Sequence, residues 1–406
     1  MLLAVFVTTP LVAQGRLVGA RISTIGPVYE MWRFGNGGVE QPTPDGATVV
    51  RVTEASQWSL PIAVAVPIGE RWLADLTGAY ASGVVTLAPQ TSATGPSEYT
   101  LNGVTDLRLR VSGRLAGNAT SGGLLLTLAV TAPTGKTELN PNEVGALQVL
   151  ASPALGFQVP TLGAGAGATA GLVGARQLGA WSLALGLSYE LRRLYEPGAA
   201  TAGVPLPELD PSDALHISMG VDGLVGGHHA MTVALSTDLF TEDHLRAPAT
   251  SGSTSASVGT TEVATRLGPM VTLDWQLQIA PPAAFRELTL YAVDRYRGAY
   301  SRSGETVAGS SGNYLDLGAR GVLRAGSKTG VLLWLSGRHQ TGLDSDRTLT
   351  TAAVRSAAFT VGLVRQLGAG LTAQPFARVQ GGTIESGAER SGLSGYAVGF
   401  SLTKSW

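Results

Sequence analysis

Residues 396–406 read Tyr396-Ala397-Val398-Gly399-Phe400-Ser401-Leu402-Thr403-Lys404-Ser405-Trp406. Tyr396, Val398, Phe400, Leu402 and Trp406 share one face of a strand. Ala397, Gly399, Ser401, Thr403 and Ser405 share the other, because side chains alternate with period two. One face is large and mostly apolar, the other small and polar. Such a strand is half-buried: one side of it meets an apolar medium and the other a polar or crowded one.

The same alternation recurs through the chain. Leu107, Leu109, Val111 and Leu115 oppose Asp106, Arg108, Arg110 and Arg114. In 181–192, Trp181, Leu183, Leu185, Leu187, Tyr189 and Leu191 oppose Ser182, Ala184, Gly186, Ser188, Glu190 and Arg192. Segments 215–222, 231–236, 271–278 and 314–323 repeat the pattern. A half-buried sheet in a soluble protein would alternate in the same way, so periodicity leaves open which face is wet.

Composition narrows the choice. Charged residues make up 14% of 406, against about 25% in soluble proteins, and 54 residues are glycine. Mean hydropathy is positive. Yet no window approaches the run of about 18 apolar residues that a membrane helix needs; even Leu124 to Val130 is interrupted by Thr127. A net charge of -1 gives no sign of nucleic-acid binding. Without cysteine there is no disulfide framework and no thiolate metal site. No cofactor is expected.

The links between strands decide the fold. Short links fall at 69–71, 117–118, 178–179, 226–227, 281–282, 325–326 and 367–368. Longer polar links fall at 88–101, 134–163, 195–212, 241–259, 299–311, 340–349 and 384–390. Short and long alternate strictly, as in a transmembrane antiparallel up-and-down β-barrel with tight turns on one rim and long loops on the other. Counting back from Trp406 gives about sixteen strands when Leu17 to Phe34 is included, with 35–46 as its external loop. The alternative is about fourteen, with 14–45 folded inside as a plug. Trp72 and Trp181 follow short turns and Trp406 belongs to the same rim, where indole rings make an interfacial girdle. Trp334 stays ambiguous between the two faces.

At the other end, Met1 to Gln14 carries an apolar core, a breaker at Pro10 and a small residue at Ala13. It resembles a signal peptide over 1–13, cleaved after Ala13, though without a basic start. That implies export, with 14–406 a single barrel. Residues 134–163 break the strand pattern. Asn140 as N-cap, Pro141 at the first helical position and Glu143 in the first turn predict a short helix. A helix so apolar either folds inward as a constriction or lid, or packs over the barrel mouth.

Candidate chemistry is sparse. His216 and Ser218 lie on one face with the spacing of a base and its nucleophile. Outer-membrane lipid hydrolases resemble this, but Met219 stands where they carry Asn, and the pair lies on the polar face. His228-His229 reads as a solvated turn, since adjacent strand residues point apart. Gly163-Ala164-Gly165-Ala166 has no following Lys-Ser/Thr and no phosphate-loop context. The expected working surface is the lumen, lined by Asp106, Arg108, Arg110, Arg114, Glu190, Arg192, Asp274, Asp316 and Arg320. Facing lipid, each Arg would cost about 2–4 kcal/mol at the midplane, so the charged side is the inside. Mixed signs argue against strong ion selectivity.

The closing stretch, with alternating Tyr396, Val398, Phe400 and Leu402 before a terminal Trp406, resembles the C-terminal signature of bacterial outer-membrane β-barrels. Lys404 departs from it. That resemblance implies residence in the outer membrane, lipid as a partner, and recognition of the last strand by the barrel-assembly machinery. Val130-Thr131-Ala132-Pro133-Thr134-Gly135-Lys136 resembles a strand-end motif of channels for hydrophobic compounds, the aromatic-degradation (MetA-pathway) group and more loosely the FadL type. It implies passive uptake of small solutes, hydrophobic ones included, through a partly plugged barrel. A lipid hydrolase using His216 and Ser218, and a structural or surface-recognition barrel, are the alternatives.

Overall fold

A computed structural model describes residues 22–42, 49–88, 98–118, 122–197, 208–248, 260–342, 353–386 and 389–405. The expected signal peptide and Trp406 lie outside them.

Sixteen antiparallel staves form one closed barrel. They are β1 (Ile22–Ile25, resuming as Val28–Phe34), β2 (Val49–Ile68), β3 (Trp72–Leu87) and β4 (Glu98–Val104, resuming as Leu107–Asn118). Then come β5 (Gly122–Ala132), β6 (Gly167–Leu178), β7 (Trp181–Arg192), β8 (Ala214–Val225), β9 (His229–Phe240) and β10 (Met270–Ile279). The circuit ends with β11 (Phe285–Arg297), β12 (Gly312–Arg324), β13 (Thr329–Thr341), β14 (Ala353–Gly368), β15 (Leu371–Ser386) and β16 (Glu389–Ser405). Each stave pairs with its neighbours in sequence, and β1 pairs with β16 to close the ring. Closure leaves no unpaired edge, which a sheet in hydrocarbon requires.

Residues 22–34 are therefore a stave and not a plug. Their pairing with both β2 and β16 spends the backbone groups that a free plug would have had to satisfy elsewhere. The stave is interrupted at Gly26-Pro27, where a Cβ on Gly26 would lie 2.4 Å from Phe400 O. The external link after it is also more ordered than expected, because Val39–Pro42 pairs with the start of β2.

The outer face is apolar. Tyr396, Val398 and Phe400 are 40%, 46% and 39% exposed, as befits side chains turned to lipid. Leu402 follows them in register, opposite Ile25. Tyr29 and Tyr396 meet with ring centroids 6.0 Å apart, and Trp58 and Tyr80 at 5.7 Å, forming an upper aromatic level. At the short-turn rim Trp72 and Trp181 lie over Gly113 and Gly223, their direct register partners. From Trp58 to the end of β2 is about the 9–11 residues that a tilted strand needs to cross. Above the upper aromatics Arg33 and Glu54 form an outward ion pair at 2.8 Å, exposed to water. β2, at 20 residues, thus rises well past the membrane. A closed barrel with such a band is an outer-membrane protein.

On the external side, 208–210, 242–248, 260–266, 301–302 and 305–306 build a small second sheet, partly as prolongations of β9 and β10.

Candidate functional site

The segment that broke the strand pattern occupies the inside of the barrel's upper half. Its helix, α1 (Pro141–Leu150), starts on a capping box: Asn140 Oδ1 accepts Glu143 N–H at 3.0 Å, and Glu143 Oε2 accepts Asn140 N–H at 3.1 Å. It stops at Leu150, with Pro153 soon after to bar continuation. Ala146, Val149, Leu150, Ala154, Leu155, Phe157, Val159 and Leu162 are buried in one cluster with Trp32, Val52, Val85 and Tyr99 of β1–β4 and Val354, Ile384 and Leu393 of β14–β16. The helix does not cap the mouth from outside. The upper staves present apolar side chains inward, and the segment fills the space between them.

Polar groups pin the irregular leg that follows the helix. Trp32 Nε1 donates to Leu155 O at 2.9 Å. Gln57 Nε2 donates to Val159 O at 2.7 Å, and its Oε1 accepts Val159 N–H at 3.0 Å. Glu30 Oε2 accepts Gln158 N–H at 3.0 Å, while Arg378 Nη2 donates to Glu30 Oε1 at 2.6 Å. At Gly156 the backbone takes φ +62°, and a Cβ would lie 2.6 Å from Arg338 Nη1.

The ends of the plug meet at Asp106. Its Oδ1 accepts Gly135 N–H at 2.8 Å and its Oδ2 accepts Ala164 N–H at 2.7 Å. Thr134 Oγ1 accepts Leu107 N–H at 2.9 Å, and Lys136 is ion-paired with Glu143. The motif at 130–136 is thus the seat of the plug's first leg. Nearby, Tyr195 packs against Gly165. Burial, then the Asp243 and Asp106 carboxylates, raise its phenol above the ordinary value.

The plug is eccentric. It covers β1–β3, the first part of β4 and β14–β16, whereas the inner faces from Leu107 of β4 round to β10 are mostly half-buried or exposed, with Ser112, Leu125, Ala129, Ala184 and Ala214 buried among them. Arg108, on the inner face of β4, donates to Thr169 Oγ1 at 3.3 Å. Arg110 donates to Asp75 Oδ2 at 2.8 Å. Arg114 turns inward beside a bulge near the short-turn rim. Arg192 Nε meets Glu190 at 3.1 Å. His216 stands between two carboxylates, Asp238 Oδ1 at 2.7 Å from Nδ1 and Glu190 Oε2 at 3.4 Å from Nε2. Both ring nitrogens are engaged, which leaves none to take a proton from Ser218. Asp274 faces inward between Ala234 and Val293 in register. Arg320 Nη1 lies 3.4 Å from Glu287 Oε1.

Asp316 is in a different setting. Only 2% exposed, it accepts hydrogen bonds from Tyr291 at 3.0 Å and Tyr314 at 3.1 Å, with Arg338 Nε at 3.8 Å. Trp334 faces inward and donates to the Tyr291 hydroxyl at 3.0 Å. Sequence reading passed over Glu30, Asp75, Asp238, Arg338 and Arg378, although each sits on the inward parity of its stave. At the external rim an open recess of about 650 Å3 is lined by Arg192, Arg193, Asp213, Phe240, His244 and Arg266 among others. Among the described residues no cluster of His, Asp and Glu could hold a metal.

No protein-family model and no curated protein matches the chain. Among solved structures it is similar to an outer membrane channel from Pseudomonas putida F1, at 11% identity and TM-score 0.33 over 95% of each chain. It is also similar to a mutant of TodX, a monoaromatic hydrocarbon channel, at 9% and 0.47 over 96% of this chain and 91% of that one. A third likeness is to OprB of Pseudomonas putida, at 12% and 0.44 over 99% and 97%. All three are too loose to carry a residue, a solute or a mechanism across.

Proposed function

We propose that the protein is a passive outer-membrane channel whose constriction is the inward-folded segment 134–164. The observation that carries this reading is the eccentric plug. It fills one side of the barrel and leaves most of the charged inner wall from Leu107 of β4 round to β10 uncovered. A barrel that served only as a wall or an anchor could fill its interior with apolar side chains, whereas charged side chains are kept where water reaches them. The lumen residues named above would set what passes, and the outward residues of β16 would be the part that the assembly machinery engages. Placement of His216 gives the lipid-hydrolase reading no base.

The test is conductance in planar bilayers. Native protein should show steady openings. A variant with 137–162 replaced by a short Gly-Ser link should show larger ones. If both stay closed, the channel reading is overturned.

A further inference from the structure

We infer that the solute is small and hydrophilic, either uncharged or zwitterionic, an inference that rests on the channel reading above. The large apolar side chains that are well exposed on the staves occupy outward register positions, as Leu128, Leu172, Leu187, Ile217, Leu235 and Leu273 do. Among the described residues Leu224, beside a turn, is the exception that shares the inward parity of β8. The inner surface that is apolar, on β1–β4 and β14–β16, is already covered by the plug. An apolar solute therefore meets no extended dry surface on the open side, and would lose more by leaving lipid than the wall returns.

What the open side does offer is hydroxyls. Thr127, Ser188, Ser218, Ser236 and Thr272 line neighbouring staves, half-buried and facing inward, between glycines and alanines. Each hydroxyl can donate or accept, which suits a solute rich in both. Small side chains leave room for it. The charges above this belt are of both signs and largely matched, Arg110 with Asp75, Arg192 with Glu190, His216 with Asp238. Matched pairs give little net potential along the path, so an ion of either sign is neither drawn in nor turned away strongly. The plug adds no charge of its own from Val144 to Gly165.

The experiment pairs bilayer recordings with proteoliposome swelling, using arabinose and glycine as the permeants. N-phenyl-1-naphthylamine serves as an apolar probe on protein in detergent. Expected are swelling with both permeants at about ten times the protein-free rate, a K+/Cl− permeability ratio within about threefold of one, and no probe binding. Ser218→Trp, which intrudes on the hydroxyl belt, should cut arabinose swelling severalfold. Conductance without swelling, or saturable probe binding, overturns the solute class and leaves the channel standing. Neither conductance nor swelling removes the channel and this inference with it.

Discussion

Asp106 holds Gly135 by its backbone, the amide N–H lying 2.8 Å from Oδ1, and the second carboxylate oxygen holds Ala164 at 2.7 Å. A single side chain thereby fastens both legs of the segment at its base, below the contacts that Trp32, Glu30 and Gln57 make with its middle. Hydrogen bonds to a charged group contribute roughly 1.5–3 kcal/mol each. Asp106→Ala should therefore raise the fraction of time that the plug is displaced by one to several orders of magnitude. Single-channel traces should gain a noisier, higher-conductance level, with heat-modified migration on gels unchanged because the barrel itself is untouched. Asp106→Asn should fall between, since it keeps one acceptor and turns an amino group toward a donor. A single native conductance level in Asp106→Ala would mean that the clamp is not what holds the plug.

The tight fit at Gly135 gives an independent handle. A Cβ there would sit 2.2 Å from Leu162 O and 2.8 Å from Asp106 N, backbone atoms that cannot swing away. Gly135→Val should push the first leg out of its seat and expose Leu150, Leu155 and Phe157, which are buried in the native fold. Thermolysin should then cut the detergent-solubilised variant between about 139 and 162 under conditions that leave native protein whole. Equal resistance of the two proteins would refute the packing described.

The barrel was legible in the sequence because lipid leaves so few solutions. A strand in hydrocarbon must pair on both sides, so period-two staves and alternating link lengths point to a closed ring. The first stave was harder to read, since 22–34 pairs with β16 over a separation that no local pattern reveals. The helix start at Asn140 was plain, yet its destination was not. A helix apolar on all sides reads the same whether it covers a mouth or fills a lumen. Charge partners were hidden for a similar reason. Arg110 meets Asp75 across adjacent staves, 35 residues away. The hydrogen bonds by which Thr134 and Gly135 seat the plug's first leg reach Leu107 and Asp106, 27 and 29 residues away.

The bridge at His216 predicts a change in ion preference. Its ring stands between Asp238 and Glu190. Taking it away in His216→Ala leaves two carboxylates facing each other across the lumen wall, and at such range the excess negative potential recruits cations. The K+/Cl− permeability ratio from reversal potentials should rise about threefold or more, and the rise should shrink at high salt as screening sets in. Ser218→Ala should leave the ratio alone, and lipid hydrolysis should stay at background in both variants. A ratio indifferent to the loss of His216 would place the permeation path elsewhere in the barrel.

The closing stave tests which face meets lipid. Phe400 is 39% exposed on the outward side and lies midway between Tyr396 and the short-turn rim; Ser401, its neighbour, faces the lumen opposite Gln374. An arginine at the lipid midplane costs about 2–4 kcal/mol, whereas one in the wet interior costs little. Phe400→Arg should therefore lower the stability of the barrel folded into phospholipid vesicles by about that amount in a urea titration. Ser401→Arg, which places the same guanidinium one residue away, should lower it by much less although it adds far more bulk. The comparison reports orientation: were the stave turned by one residue, the larger cost would move to Ser401→Arg, since a slip of one places every side chain of the strand on the opposite face.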